Sequence, residues 1–286
     1  GQYRVTLTIP ENFIVGASGN LVKSERNANN TVTYQYEANK IHDFAWAASP
    51  HFTKHTETIH LTGNPWPTKI NLLMAPGHDS VKQRYINALT YAMKFYAKRI
   101  FPYPYKQITV IDPPFKAHSG NAMEYPTLIS TSYACFLPDS FKLLEMSVIH
   151  EFGHQYWYGI VATDGAREAW LDEGVATFFE LEILDEYFKD STSYFDWSFM
   201  PVQAWQVMRM KYTTMEPVDP VLKESWKFLD HNQYEANVYA KTAMLLRSLK
   251  QTTGKERMFD FFRYYARKFK YKHPNTDDFI NTFNAF

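Results

Sequence analysis

Val148-Ile149-His150-Glu151-Phe152-Gly153-His154-Gln155 is the stretch from which the rest of the chain can be read. It carries the pattern HExxH. Two histidines four positions apart lie on one face of an α-helix, so both imidazoles can reach a single metal ion. The glutamate beside the first stands where it can handle the proton of a metal-bound water. Alone the pattern is weak: in a chain with 10 His among 286 residues it arises by chance in roughly one or two sequences per hundred. The surroundings strengthen it. Leu143, Leu144, Met146, Val148, Ile149 and Phe152 recur at helical spacing, Pro138-Asp139-Ser140 supplies turn and N-cap chemistry upstream, and Gly159 is a plausible stop. Gly153 costs about 1 kcal/mol inside a helix, which suits a helix pressed closely against something, on this reading the substrate cleft.

A third ligand follows. Trp170-Leu171-Asp172-Glu173-Gly174 opens a second helical stretch, Glu168 to about Lys189, and Asp164-Gly165 is a turn that lets this helix fold back on the first. His150, His154 and Glu173 would hold one zinc ion and leave its fourth position open to water, the arrangement of a catalytic site. A structural site would be closed, usually by several cysteines, and this chain has 1 Cys. The alternative, a buried histidine pair bridged by a helical glutamate, leaves the placement of Glu151 unexplained. Zinc lowers the pKa of a bound water from 15.7 to about 7. Glu151 as general base would take the proton as water attacks a peptide carbonyl, then return it to the leaving amine. Glu180, seven residues past Glu173 on the same helix face, is a candidate acceptor for a ligand imidazole or a partner for an Arg or Lys.

Composition sets the outer bounds. With 45% hydrophobic residues the chain can fill a core, and its length allows one large domain or two. Net charge is 0 and the pI about 7.3, which favours neither nucleic acid nor an anionic membrane surface. No transmembrane run and no signal peptide at Gly1 is visible. Cys135 sits in an apolar stretch and reads as a buried, inert thiol.

The first segment alternates: Tyr3, Val5, Leu7 and Ile9 punctuate polar positions, and strand-like runs follow at NFIVGA, TVTYQYEA, DFAWAAS and TETIHLTG. An antiparallel sheet of roughly five strands is expected, ending near Gly63-Asn64-Pro65-Trp66-Pro67. So short a β segment is small for an independent domain, and the chain reads as a fragment of something longer. After residue 66 strands and helices intermingle, then helices dominate: a helix over 79–100 capped by Asp79 or Ser80, a strand at YKQITVIDPP, the two ligand-bearing helices, one over about 193–212, a loop with Pro217 and Pro220, and three helical stretches from near Glu235, Lys255 and Thr276. The order is α+β.

At this point the chain resembles the zinc aminopeptidases that include aminopeptidase N and leukotriene hydrolase. The resemblance rests on HExxH with Glu173 in a WLDEG context and on two further segments. SGNAMEYP is similar to the family's G-x-M-E-N segment through Gly120, Ala122, Met123 and Glu124, departing by an extra Asn121 and by Tyr125 where Asn is usual. VYAKTA is similar to the family's Y-x-K-G-A segment through Tyr239 and Lys241, with Thr242 in place of glycine, and Tyr234 lies five residues earlier. The resemblance implies a thermolysin-like catalytic domain over 67–286, preceded in 1–66 by the C-terminal part of an N-terminal β domain; HDFAWAASP resembles that junction. It further implies that Glu124 binds the free α-ammonium of a peptide substrate, that the backbone of Gly120, Ala122 and Met123 pairs with the peptide as an added strand, that Tyr239 donates to the oxyanion, and that Tyr234 walls the cleft. It also implies missing N- and C-terminal domains. A second residue sharing the amine-binding work, which the family often draws from its β domain, has no convincing equivalent in 1–66.

The expectation is therefore a zinc aminopeptidase acting on peptides with a free N-terminus. A thermolysin-type endopeptidase, a non-catalytic peptide-binding relative and an epoxide-hydrolysing side activity compete with it. Glu124 separates the first two, since a fixed carboxylate near the zinc makes the site count from the N-terminus. His42 and His118 read as structural. Asn29-Asn30-Thr31 is a glycosylation sequon by pattern alone.

Overall fold

The computed structural model describes residues 1–114, 117, 122–131, 137–189, 192–197, 200–216 and 218–286; Gly120, His118 and Cys135 lie outside them. Alternating residues make β1 (Gln2–Pro10) a strand with one face turned inward. It pairs antiparallel with β4 (Thr31–Asn39), whose other edge takes β3 (Asn20–Arg26). β2 (Ile14–Ala17) and β5 (Trp46–Ser49) form a separate antiparallel pair. β6 (Thr53–Ile59) pairs antiparallel with β7 (Thr68–Met74), and β8 (Gln107–Ile111) and β9 (Leu128–Ser130) continue the sheet in parallel. The single sheet expected before Gly63 is thus corrected to a three-stranded sheet, a two-stranded one and a strand lent to the next unit. β3 is exposed along its whole length, so it shows no alternation to read. The division expected at residue 66 falls in the β6–β7 connection, within one sheet. β2 lies close against β7 and β8: a Cβ on Gly16 would stand 2.7 Å from Thr109 Cγ2 and 3.0 Å from Leu73 Cδ2.

Three helices carry the core. α1 (Lys82–Arg99) crosses from β7 to β8, α2 (Leu143–His154) packs on α1, and α3 (Val175–Phe188) packs on α2. Arg84 of α1 fixes the first turn of α2 with a two-pronged pair, Nε to Glu145 Oε1 at 2.7 Å and Nη2 to Glu145 Oε2 at 2.8 Å. Its Nη1 donates to Asp139 at 2.9 Å. That engagement is one reason the expected cap fails: α2 begins at Leu143, and Lys142 at its N-cap position makes no side-chain cap. Asp79 likewise caps nothing. It lies in a 3₁₀ turn, Asp79–Val81, and its carboxylate faces Thr53 and His55.

Gly153 does press against something, but not the cleft. A Cβ there would meet the Tyr96 hydroxyl at 3.1 Å and Ala176 at 3.7 Å, so the missing methyl lets α2 sit between α1 and α3. Around it Tyr96 stacks on Tyr156 at 4.3 Å and on Phe179 at 5.3 Å. The helix expected over 193–212 begins only at Ala204. Two short antiparallel strands, β10 (Phe195–Trp197) and β11 (Met200–Val202), precede it, Pro201 lacks the amide a helix interior requires, and Gln203 with Gln206 forms a capping box that starts α4 (Ala204–Thr213). α5 (His231–Tyr234), α6 (Thr242–Thr253), α7 (Lys255–Lys268) and α8 (Thr276–Ala285) complete the helical side. No helix among the described residues is long and apolar enough to cross a membrane.

Burial pushes the hydroxyls of Tyr96, Tyr103 and Tyr156 well above the ordinary tyrosine value. The unfolded chain releases those protons near pH 10 while the folded one retains them, so stability present below that pH falls as pH rises above it. The melting temperature is therefore expected to drop steeply in this range, with the phenolate absorbance of these three buried tyrosines appearing together with unfolding rather than before it.

Candidate metal centre and cleft

Three donor atoms meet at one point. His150 Nε2 lies 3.1 Å from Glu173 Oε2, His154 Nε2 lies 3.1 Å from the same oxygen, and the two imidazole nitrogens are 3.1 Å apart. The i, i+4 spacing on α2 supplies two corners. The third comes from a segment that the Asp164-Gly165 turn brings back: Asp164 O accepts from the amides of Arg167 and Glu168 at 3.0 and 2.7 Å. A tetrahedral zinc with bonds of about 2.0–2.1 Å has ligand atoms roughly 3.3 Å apart. The triangle therefore has about the size of one face of such a coordination shell, and its two-nitrogen, one-oxygen donor set suits zinc.

Each imidazole is also held from behind. His150 Nδ1 is 2.9 Å from Glu180 Oε2, and His154 Nδ1 is 2.7 Å from Asp172 Oδ1. Such outer partners fix the ring so that Nε2 faces the metal. Glu180 was legible from its helical spacing. Asp172 was not, because one position from Glu173 it lies off the helix face that Glu173 and Glu180 share. Gly165 makes room for it: a Cβ there would stand 2.2 Å from Asp172 Oδ2. Burial opposes charge on His150, but hydrogen bonding to Glu173 and Glu180 overcomes it and pushes the ring up to about 10. Burial likewise opposes charge on Glu173, and the neighbouring His154 and His150 hold its carboxyl well below the usual range.

Glu151 is buried, which pushes its carboxyl up to about 8 against the pull of His150 and His154. The Tyr239 ring stacks over His150 at 5.9 Å. Its hydroxyl is pushed far up by burial and by the Glu173 carboxylate, to which it hydrogen-bonds, so it stays a donor. Tyr234 stands edge-on to Tyr239 at 5.8 Å, and Tyr158 edge-on to His154 at 6.4 Å. His42 contacts the Tyr158 carbonyl at 3.2 Å and packs on its ring.

All the helices that feed the centre depart from α geometry there. π-helical segments run over Gln155–Ile160, directly after His154, over Trp170–Gly174, which carries Glu173, and over Glu235–Lys241, which carries Tyr239. Wide turns of this kind are rare and recur at functional sites. Apolar spacing does not distinguish them from α-helix, so the sequence showed only helix.

Glu124 comes from the sheet side. Met123 bridges Ser130 with paired backbone hydrogen bonds of 3.0 and 2.8 Å, and Glu124 follows it. A Glu124 carboxylate oxygen, a His154 ring nitrogen and an Asp172 carboxylate oxygen all lie within 4.8 Å of one another. Ala122 and Met123 are partly exposed beside it.

With this geometry in hand, the peptidase family M1 domain matches residues 85–286. The chain belongs to peptidase family M1. Among curated M1 relatives, endoplasmic reticulum aminopeptidase 2 of Bos taurus is 26% identical over 218 residues, covering 73% of this chain and 22% of the relative. Aminopeptidase M1-C of Oryza sativa subsp. japonica is 24% identical over 288 aligned residues, covering 97% of this chain and 31% of the relative. An M1 zinc metallopeptidase from Deinococcus radiodurans shares the fold, with a TM-score of 0.74 at 17% identity over 99% of this chain and 60% of that one. This M1 chain thus spans less than two thirds of each of those proteins.

One glycine of the M1 site is tested directly. A Cβ on Gly174, next to Glu173, would stand 2.3 Å from Thr242 Cγ2 and 2.7 Å from the Val238 carbonyl. Gly174→Ala must therefore push the Tyr239 segment away from Glu173, at a cost of about 1–3 kcal/mol. The expected result is a lower melting temperature and weaker zinc binding. Gly159→Ala, whose nearest contact would be an ordinary 3.5 Å, is expected to leave both unchanged.

Proposed function

We propose that this chain is the catalytic part of a zinc aminopeptidase that removes residues from the free N-termini of peptides. Residues 67–286 would form the thermolysin-like catalytic domain and residues 1–66 the end of a β domain, joined through the β6–β7 pair. The observation that carries the reading is Glu124, whose carboxylate stands within 4.8 Å of the His154 ring. Had the centre been built for internal bonds, a fixed negative charge this close to the metal would repel nothing and select nothing. For a substrate that ends here, it pairs with the α-ammonium in a charge-assisted hydrogen bond.

His150, His154 and Glu173 would hold one zinc ion, which when bound supplies Lewis-acid polarisation of the carbonyl and acidifies a water. Glu151 takes the proton of the attacking water and returns it to the departing amine, a contribution of about 10²–10⁴ in rate. Tyr239 donates its hydroxyl to the oxygen on which charge develops. Tyr234 and Tyr158 close the walls. The edge at Ala122 and Met123 offers backbone groups to an extended peptide. The domains found in longer relatives would complete the cleft.

The deciding measurement is hydrolysis of free and N-acetylated aminoacyl-coumarins with zinc quantified in the same sample. Free-amine substrates alone should be cleaved, with activity lost on chelation and reduced ~10²–10⁴-fold in Glu151→Gln. Tyr239→Phe should lower kcat ~10²–10³-fold with zinc retained. Cleavage of acetylated substrates at comparable rates would overturn the role of Glu124.

The raised His150 also fixes a pH dependence. Its proton persists to about pH 10 in the metal-free chain, and zinc must displace it. Zinc affinity should therefore rise with pH through the neutral range, with proton release visible by calorimetry in buffers of different ionisation enthalpy.

A further inference from the structure

Gln155 follows His154 directly, is 1% exposed, and uses most of its amide on residues 124–127. Nε2 donates to the Glu124 carbonyl at 3.2 Å and to the Tyr125 carbonyl at 3.1 Å. Oε1 accepts from the Thr127 amide at 2.7 Å and from the Tyr103 hydroxyl at 3.4 Å. A glutamine amide has two N–H donors and an oxygen with two lone pairs, so its capacity is filled. Three of the four bonds grip residues 124–127, and the fourth anchors the amide on a fully buried tyrosine.

What it grips is strained. Thr127 has φ +62°, a left-handed conformation that a β-branched residue adopts only when its surroundings force it. The surroundings do. Its carbonyl accepts from the Thr109 amide at 3.0 Å and from Gln107 Nε2 at 3.2 Å. Its hydroxyl accepts from the Gly19 amide at 2.7 Å. This turn reverses the chain between Glu124 and β9, so the place where it is pinned sets where the Glu124 carboxylate stands.

We infer that Gln155 is a positioning residue that locks the Glu124 turn to the metal-binding helix, so that the distance from the amine anchor to the metal is fixed by one side chain adjoining His154. The inference rests on the proposed role of Glu124. A peptide amine held by Glu124 and a carbonyl at the metal must be one residue apart, and Gln155 is the direct bridge between the two elements that define that distance. A side chain that merely filled the core would need none of its polar atoms matched to backbone groups of residues 124, 125 and 127.

The test uses the zinc-loaded full-length protein with Gln155→Met, which keeps the volume and removes all four bonds, and Gln155→Glu, which keeps acceptors for Thr127 and Tyr103 and loses amide donors to Glu124 and Tyr125. Two readouts are taken with zinc content measured in each sample. One is hydrogen exchange of residues 122–131. The other is binding of leucinamide against N-acetyl-leucinamide by calorimetry. Both variants should keep one zinc per chain, speed exchange in this segment at least tenfold while leaving α1 and α3 protected, and cut the preference for the free amine at least tenfold. Unchanged exchange in the segment, or a wild-type amine preference in Gln155→Met, would overturn the inference. A variant that loosens everywhere and loses zinc would mark Gln155 as a general core residue and overturn it too. Absence of amine preference in the wild type would instead remove the role of Glu124, and the exchange result would still decide whether Gln155 holds the turn.

Discussion

Three polar atoms held 3.1 Å apart in a buried place are the constraint to which the helical half of this chain is fitted. Two imidazole nitrogens and a carboxylate oxygen do not converge in that way for their own sake. Removing them from water is expensive unless a cation or shared protons sit among them. The chain meets the demand from behind, with Glu180 on one ring and Asp172 on the other, and from the sides, with helices brought close. Gly153 lets α2 approach α1 and α3, Gly165 admits the Asp172 carboxylate, and Gly174 lets the Tyr239 segment touch the segment that carries Glu173. Each of these glycines stands where a single methyl group would move a polar atom of the centre or an element that carries one.

The sheet half serves the same end by another route. β9 and the bridge at Met123 bring Glu124 to the rim, and the β2–β5 pair rests on β7 and β8, so the small β unit is not an appendage. Through the Thr127 hydroxyl and the Gly19 amide it touches the turn that follows Glu124.

Much of this was legible in the sequence, and what was not shares a cause. The convergence of His150, His154 and Glu173 could be read because two corners are local in one helix and the third follows a recognisable turn. Glu180 could be read because it repeats on a helix face. Asp172 could not, since it stands one position off the face that Glu173 and Glu180 share, and Gln155 could not, since it acts mainly on backbone groups that carry no side-chain signature. β3 was missed because both its faces are wet. The helix expected from residue 193 failed at Pro201, where apolar spacing outvoted a missing amide. Gly153 was rightly read as a sign of close approach and wrongly aimed, because spacing says that a face is tight without saying what lies opposite.

The wide turns at Gln155–Ile160, Trp170–Gly174 and Glu235–Lys241 have a consequence for how such a chain can change. A turn closed by i→i+5 bonds holds one more residue than an α turn, and one residue of an α-helix is about 100° of rotation. Each helix is therefore out of phase with itself on either side of the centre: the part facing the metal and the part buried in the core follow different registers. Deleting a single residue from any of these turns would leave a regular helix with an acceptable apolar stripe, yet swing either the side chain at the centre or the core face out of line. Length variation should be tolerated in the surface connections of this chain and rejected in these three short stretches, although nothing in their composition sets them apart.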